Sequence, residues 1–219
     1  MKTTSYPDPV RKLLSIGDAR SMRKWPNYLK LGISEEHSPD LIRMLTDDDL
    51  NMADSKGSEV WAPLHAWRAL GQLRAVEAID VLIRQFQRIE EEDDDWVGEE
   101  LPTVMAMIGP PAISALAAYL ENDAPGLYAK ICAAHSLANI GESSPEDRDE
   151  AVQILTALLG RCEQNDPPLN GFIIGYLMDL KAVESIRVIR KAFHRDSVDE
   201  MVVGDLEDVE LELGLRQSR

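Results

Sequence analysis

The stretch Leu73–Phe86, LRAVEAIDVLIRQF, returns 107 residues later as Leu180–Phe193, LKAVESIRVIRKAF, with seven of its fourteen positions identical. Two diverged copies lie between: VMAMIGPPAISALAAYL from Val104 and SLANIGESSPEDRDEAVQILTALL from Ser136. Aligning Arg74, Gly109, Gly141 and Lys181 gives steps of 35, 32 and 40 residues. A repeat of this length, with two apolar helical stripes around a short turn, predicts a helical solenoid. Each such pair is too small to cover its own apolar face, so it needs neighbours of similar shape.

The stripes are readable copy by copy. Ile79, Leu82, Ile83 and Phe86 fall at i, i+3, i+4 and i+7, and Ile186, Ile189 and Phe193 repeat the pattern. Ile113, Leu116 and Leu120 form a third stripe, and Ala151, Leu155, Leu158 and Cys162 a fourth. The first helices, such as Phe172–Met178 and the alanine-rich Lys130–Ile140, are apolar all round and predict sandwiched positions. Gly109 before Pro110 and Pro111, and Gly141 before Ser143, Ser144 and Pro145, read as left-handed stops followed by helix starts. Arg74 and Lys181 hold the corresponding place in the other two copies and predict tighter or differently capped turns. The polar runs at 90–95, 121–126 and 163–168 read as loops between units.

Solenoid ends meet water and are atypical. Residues 1–58 read as a divergent first repeat, with Ser38 and Pro39 opening a helix that carries Leu41, Ile42 and Leu45. Residues 59–195 hold the repeats. Residues 196–219 form a cap in which Gly204-Asp205 starts an acidic helix covering the last pair through Leu206, Val209 and Leu213.

Composition narrows the classes. Two cysteines, Cys132 and Cys162, are too few for a disulfide framework or a metal knuckle. The N-terminus lacks an apolar leader, and the longest apolar run, Phe172–Met178, is far short of the roughly 20 residues a membrane span needs, so a soluble cytoplasmic protein without a membrane partner is expected. Net charge is −16; residues 1–58 balance nine acids with nine bases, whereas 59–125 carry thirteen acids and four bases. Phosphate binding depends on clustered Lys and Arg, which argues against a nucleic-acid partner. Low aromatic content and the lack of alternating Val, Ile and Leu runs leave an all-α chain.

AWRALGQLRAVEAIDVLIRQF, from Ala66, resembles a HEAT-like repeat of the phycobilisome-lyase type, and Lys130–Gly141 resembles the first helix of the same unit. The resemblance covers roughly residues 59–195 and implies a right-handed α-α superhelix, a HEAT-like solenoid of about five helix pairs. Together, WPNYLKLGISEEHSPDLIRMLTDDDLN, WAPLHAWRALGQLRA and GDLEDVELELGL are similar to a group of bacterial HEAT-repeat proteins. Some of that group end in a cysteine-rich zinc tail; this sequence has no such tail, so no zinc is carried over.

Five chemical readings are open to these residues. Asp47-x-Asp49-x-Asn51 begins like a calcium loop, but Met52 stands where the sharp turn needs Gly and Ser58 where the last ligand needs Glu. The acidic run at 90–95 reads as a solvated loop. Cys132 and His135, at i and i+3, could form an activated pair, yet their alanine-rich helix predicts core packing. A HEAT-type di-iron site would need His-Glu dipeptides, of which there are none, and a glycosylase-like use of Trp25, Trp61, Trp67 and Trp96 would need a basic face.

The functional expectation is a non-catalytic scaffold without cofactor or metal that binds another protein, of basic character by charge, through the surface of the second helices. Asp80, Arg84, Arg187 and Lys191 lie off the apolar stripes of those helices and should face solvent. Trp61, His65 and Arg68, at i, i+4 and i+7, are a second candidate patch, since Trp and Arg anchor interfaces; the plainer alternative is that Trp67 is core and His65 bonds across a repeat interface. The competing class is an enzyme or ligand-handling protein, bilin-lyase-like or other, with a pocket near Trp61, His65 and Trp96.

Overall fold

A computed structural model describes residues 5–218; residues 1–4, read above as part of a leaderless N-terminus, and Arg219 lie outside it. Helix accounts for 70% of the chain, and no strand occurs among the described residues. The all-α expectation holds. Contacts divide the chain into two compact units, residues 1–82 and 83–219.

The first unit opens with four 3₁₀ turns, Val10–Ser15, Ala19–Ser21, Tyr28–Leu31 and Glu35–His37. Pro7, Pro9, Gly17, Pro26 and Gly32 punctuate this stretch too often for an α-helix to propagate. Then come α1 (Ser38–Leu45), α2 (Asp48–Asn51) and α3 (Ala62–Leu73), the last preceded by a 3₁₀ turn at Glu59–Trp61. Leu41, Met44 and Leu45 of α1 pack with Leu64, Trp67 and Leu70 of α3, all buried. The expected cap moves: Ser38 is already helical and buried, and the start shifts back to Ser34, whose backbone N–H donates to His37 Nδ1 at 3.1 Å.

The fourth helix, α4 (Ile79–Arg84), carries the chain from residue 82 to 83. The second unit continues with α5 (Arg88–Glu91), α6 (Asp95–Ile108), α7 (Ile113–Glu121), α8 (Leu127–Ser143), α9 (Arg148–Leu159), α10 (Pro167–Asp179), α11 (Ile186–His194), α12 (Glu200–Val203) and α13 (Leu206–Glu212). Helix α8 packs against α6 and α10, while α9 packs against α7 and α11; α8 also touches both α7 and α9. Ala129, Ala133, Ala134 and Ala138 are all buried, and their small side chains let neighbours approach α8 from several sides. Asn170 at the start of α10 is wholly buried and joins successive turns: Nδ2 donates to the Cys162 carbonyl (2.9 Å) and the Ser197 carbonyl (2.7 Å), and Oδ1 accepts from Asn165 (2.9 Å).

The duplicated segment encodes one turn twice. Arg74 (φ 54°) and Lys181 (φ 52°) both adopt the left-handed conformation that Gly usually supplies. Each is flanked by the same paired hydrogen bonds: Ala75 N–H to Leu70 and Arg74 N–H to Gly71 (3.0 and 2.9 Å), then Ala182 N–H to Leu177 and Lys181 N–H to Met178 (both 2.9 Å). This is the Schellman closure of a helix, here with a basic residue at the glycine position. In both copies the alanine after it is buried, and Val76 and Val183 one step on are exposed.

Gly141 does not stop a helix: α8 runs past it to Ser143, and the turn falls at Ser144–Asp147. Its role is close approach, since a Cβ there would lie 3.0 Å from Leu180 Cδ2 and 3.1 Å from Ala151 Cβ. Gly109 does stop α6, at φ 87°, ψ −150°, a region open essentially to Gly alone, and the chain bends by 114° into the helix that contains α7. At the C-terminus Asp205 and Asp208 cap α13 reciprocally, and Val209 and Leu213 are buried as expected. Among the described residues, no single helix is long and apolar enough to cross a membrane.

Candidate functional site

The Trp61, His65 and Arg68 patch is corrected by burial. His65 is fully buried and Arg68 is 2% exposed, so neither can present itself to a partner. His65 Nε2 lies 2.8 Å from the Gly17 carbonyl, which can only accept, so Nε2 carries the proton. The other nitrogen, Nδ1, then accepts from the Tyr28 hydroxyl at 2.7 Å. Seven residues on, Gln72 Nε2 donates to the Pro26 carbonyl (2.7 Å) and Oε1 accepts from the Tyr28 N–H (2.9 Å). Seven residues back, Ser58 Oγ donates to the Leu14 carbonyl (2.9 Å). His65 and Gln72, two helical turns apart on α3, and Ser58 just before the 3₁₀ turn that leads into it together satisfy the backbone of the irregular segment. The guanidinium of Arg68 sits 4.9 Å from the Trp25 ring centre, and Trp67 is core.

Trp61 alone of that trio reaches a surface. It is half-buried and lines an open concavity of about 450 Å³ with Gly17, Asp18, Arg20, Ser55, Lys56, Gly57 and Ser58. Arg20 lies 5.0 Å from the Trp61 ring centre and is held by Asp18 through Nε (3.0 Å) and Nη2 (2.6 Å). That hydrogen-bonded guanidinium keeps the Asp18 carboxyl below its usual range. Trp96, the third member of the alternative pocket, belongs to the second unit, half-buried at the start of α6.

In the second unit α7 and α9 wall a groove of about 420 Å³, lined by Ala117, Leu120, Glu121, Ile154, Ala157 and Arg161 among others. A smaller polar hollow of about 50 Å³ shares Leu120 and Arg161 with it and adds Lys130, Asp123 and Asp166. Asp80, Arg84, Arg187 and Lys191 are exposed. Lys191 also donates to the Gly160 carbonyl (3.1 Å), neutralising the C-terminal end of α9. None of the four lines that groove, and the groove itself could not be seen in the sequence, because it exists only where α7 meets α9.

The remaining candidates have structural roles. Asp47 Oδ1 accepts from the Asp49 N–H (3.1 Å), capping α2, and Asp47 Oδ2 accepts from the Tyr6 hydroxyl (2.6 Å). The acidic run is not merely solvated: Glu90 Oε1 accepts from the Tyr128 and Ala129 N–H groups (2.6 and 3.1 Å), capping α8 from 38 residues away. Arg88 pairs with Asp94 (2.8 Å) and Glu92 (2.9 Å), yet burial pushes the Asp94 carboxyl up. Cys132 is 2% exposed, and burial, with Glu90 adding to it, raises its thiol far above the range of an activated nucleophile. His135 is half-buried and stacks on Tyr176, with ring centres 5.0 Å apart and planes 7° apart; burial lowers its pKa and favours the neutral ring. Among the described residues, no group of three or more His, Cys, Asp or Glu side chains could hold a metal ion.

Comparison with curated proteins finds no match, and comparison with solved structures finds none. One family does match, and it covers most of the sequence, including α3, the α7–α9 groove and the C-terminal cap. From residue 28 to residue 218 the chain fits the family described as Protein of unknown function (DUF1186), and it belongs to that family.

Proposed function

We propose that this protein is a HEAT-like helical-repeat scaffold that binds another protein along its second helices, without chemistry of its own. The observation that carries this reading is the α7–α9 groove: a concave surface with Ala117, Leu120, Ile154, Ala157 and Leu158 in its walls and one charge of each sign, Glu121 and Arg161. Helix pairs whose first members meet first members and whose second members meet second members, as α6–α8–α10 and α7–α9–α11 do, support a stacked helical repeat. In such an arrangement the second helices offer a continuous row. Residues 83–219 hold twenty-seven acids against twelve bases, which favours a basic peptide or domain through steering.

A photo-reactive residue placed at Ala157 should cross-link one stoichiometric partner in cells, whereas the same residue at exposed Thr103 on α6 should not. Glu121→Lys on the groove wall should weaken capture of a basic partner without lowering the melting temperature, since that side chain is exposed. Equal cross-linking from Thr103, or none from Ala157, would place the binding surface elsewhere.

A further inference from the structure

The net charge of −16 hides a reversal near the N-terminus. Residues 11–30 contain six bases, Arg11, Lys12, Arg20, Arg23, Lys24 and Lys30, against the single acid Asp18. All six bases are exposed. Arg11 and Arg20 pair with carboxylates close in sequence, Asp8 and Asp18, but among the described residues Arg23, Lys24, Lys30 and Lys56 have no carboxylate within ion-pair distance. In a chain with thirty-nine acids, a stretch whose bases go unmatched is free to meet acids from outside.

This stretch borders a cavity. Arg20 and Lys56 stand in the wall of the 450 Å³ concavity beside the half-buried Trp61, with the Ser55 and Ser58 side chains between them. Asp18 also lines it but is engaged by Arg20, which leaves Lys56 as its unmatched cation; with two hydroxyl-bearing side chains and one indole, Lys56 makes a site that takes a carboxylate and an apolar side chain together. We propose that this concavity docks an acidic peptide segment of a partner protein, with a Glu or Asp side chain at Lys56 and an apolar neighbour against Trp61. A nucleic acid fits less well. Its affinity depends on many phosphate contacts at once, and the chain's excess of acids opposes a long polyanion while leaving a short acidic segment largely screened, at a Debye length of about 8 Å in physiological salt. The site is separate from the α7–α9 groove, and the proposal stands or falls without it.

The test is fluorescence anisotropy on the full chain with three labelled probes: a short Glu-rich peptide with one central Leu, the same peptide with Lys for Glu, and an oligothymidylate of similar length. The Glu peptide should bind, more weakly as salt rises; Lys56→Glu should weaken it roughly tenfold, as expected for losing a close charge pair, and Lys24→Glu, outside the concavity, should weaken it less. Trp61→Phe should also weaken it, and Arg187→Glu on α11 should leave it unchanged. Tighter binding of the Lys peptide or of the oligothymidylate, no binding by any probe, or indifference to Lys56→Glu would each overturn the proposal. Both lysine variants replace exposed side chains, and a melting curve identical to the parent confirms that folding is intact.

Discussion

The two units solve one problem in different ways. In the first, residues 5–37 contain 3₁₀ turns and no α-helix, so their carbonyls cannot all be satisfied locally. Those of Leu14, Gly17 and Pro26 are instead met by Ser58, His65 and Gln72, all from one neighbouring stretch. In the second, long helices satisfy their own backbones, and the side chains of Asn170, Arg148 and Glu90 meet backbone groups left over at turns and helix ends. The lesson concerns where polar side chains are placed: inside a helix where the adjoining backbone is irregular, at the joints where it is regular.

The largest expected effect tests the second unit. Leu155 is fully buried in α9, and Leu155→Ala should cost about 2–5 kcal/mol in denaturant unfolding, by lost transfer energy plus a cavity. His65→Leu tests the first unit. It fits the site by size but takes a partner from both the Gly17 carbonyl and the Tyr28 hydroxyl, at about 2–4 kcal/mol. Hydrogen exchange should then rise in residues 10–31 before α8 or α10 is affected; a uniform rise would mean that the two units are not stabilised separately. Gly141→Val should cost about 1–3 kcal/mol, because Leu180 and Ala151 already crowd the first added carbon.

Smaller effects sharpen the comparison. Arg74→Gly and Lys181→Gly should each stabilise by about 0.5–1 kcal/mol, relief of left-handed strain outweighing added freedom in the unfolded chain. For Lys181 the lost ion pair with Glu212 is exposed on both sides and offsets little. The smallest effect is on pH dependence. Burial lowers the His135 pKa below its ordinary 6.5, so the unfolded chain binds the extra proton first and stability is lost as pH falls through that value. Replacing His135 with Phe should flatten the melting temperature between pH 7 and pH 5; an unchanged slope would assign the dependence to other groups.

Much of the helical text was legible because its signals are local. Apolar spacing gave the pairs of the second unit, and the duplicated LRAVEAI and LKAVESI segments marked two identical turns, although a left-handed Arg or Lys could not be inferred from residue type. Gly141 misled for the opposite reason: glycine serves both a cap and a close helix contact, and only the neighbours Leu180 and Ala151 decide between them. His65 and Arg68 looked like a patch because their partners lie 37 or more residues away in sequence or in an irregular segment. A signal was present in the polar residues at 58, 65 and 72, seven apart in a stretch whose other polar residues are only Glu59 and Arg68. The groove between α7 and α9 left no such mark, since neither helix contains it alone.

Glu90 has a consequence for the order in which the chain assembles. The amino end of α8 is completed by a carboxylate 38 residues upstream, so the Tyr128 and Ala129 N–H groups are left to water until that distant piece has arrived. A protease cut in the exposed run Glu91–Asp93 that let Glu90 drift away would fray the longest rod of the molecule from one end while leaving its buried alanines in place.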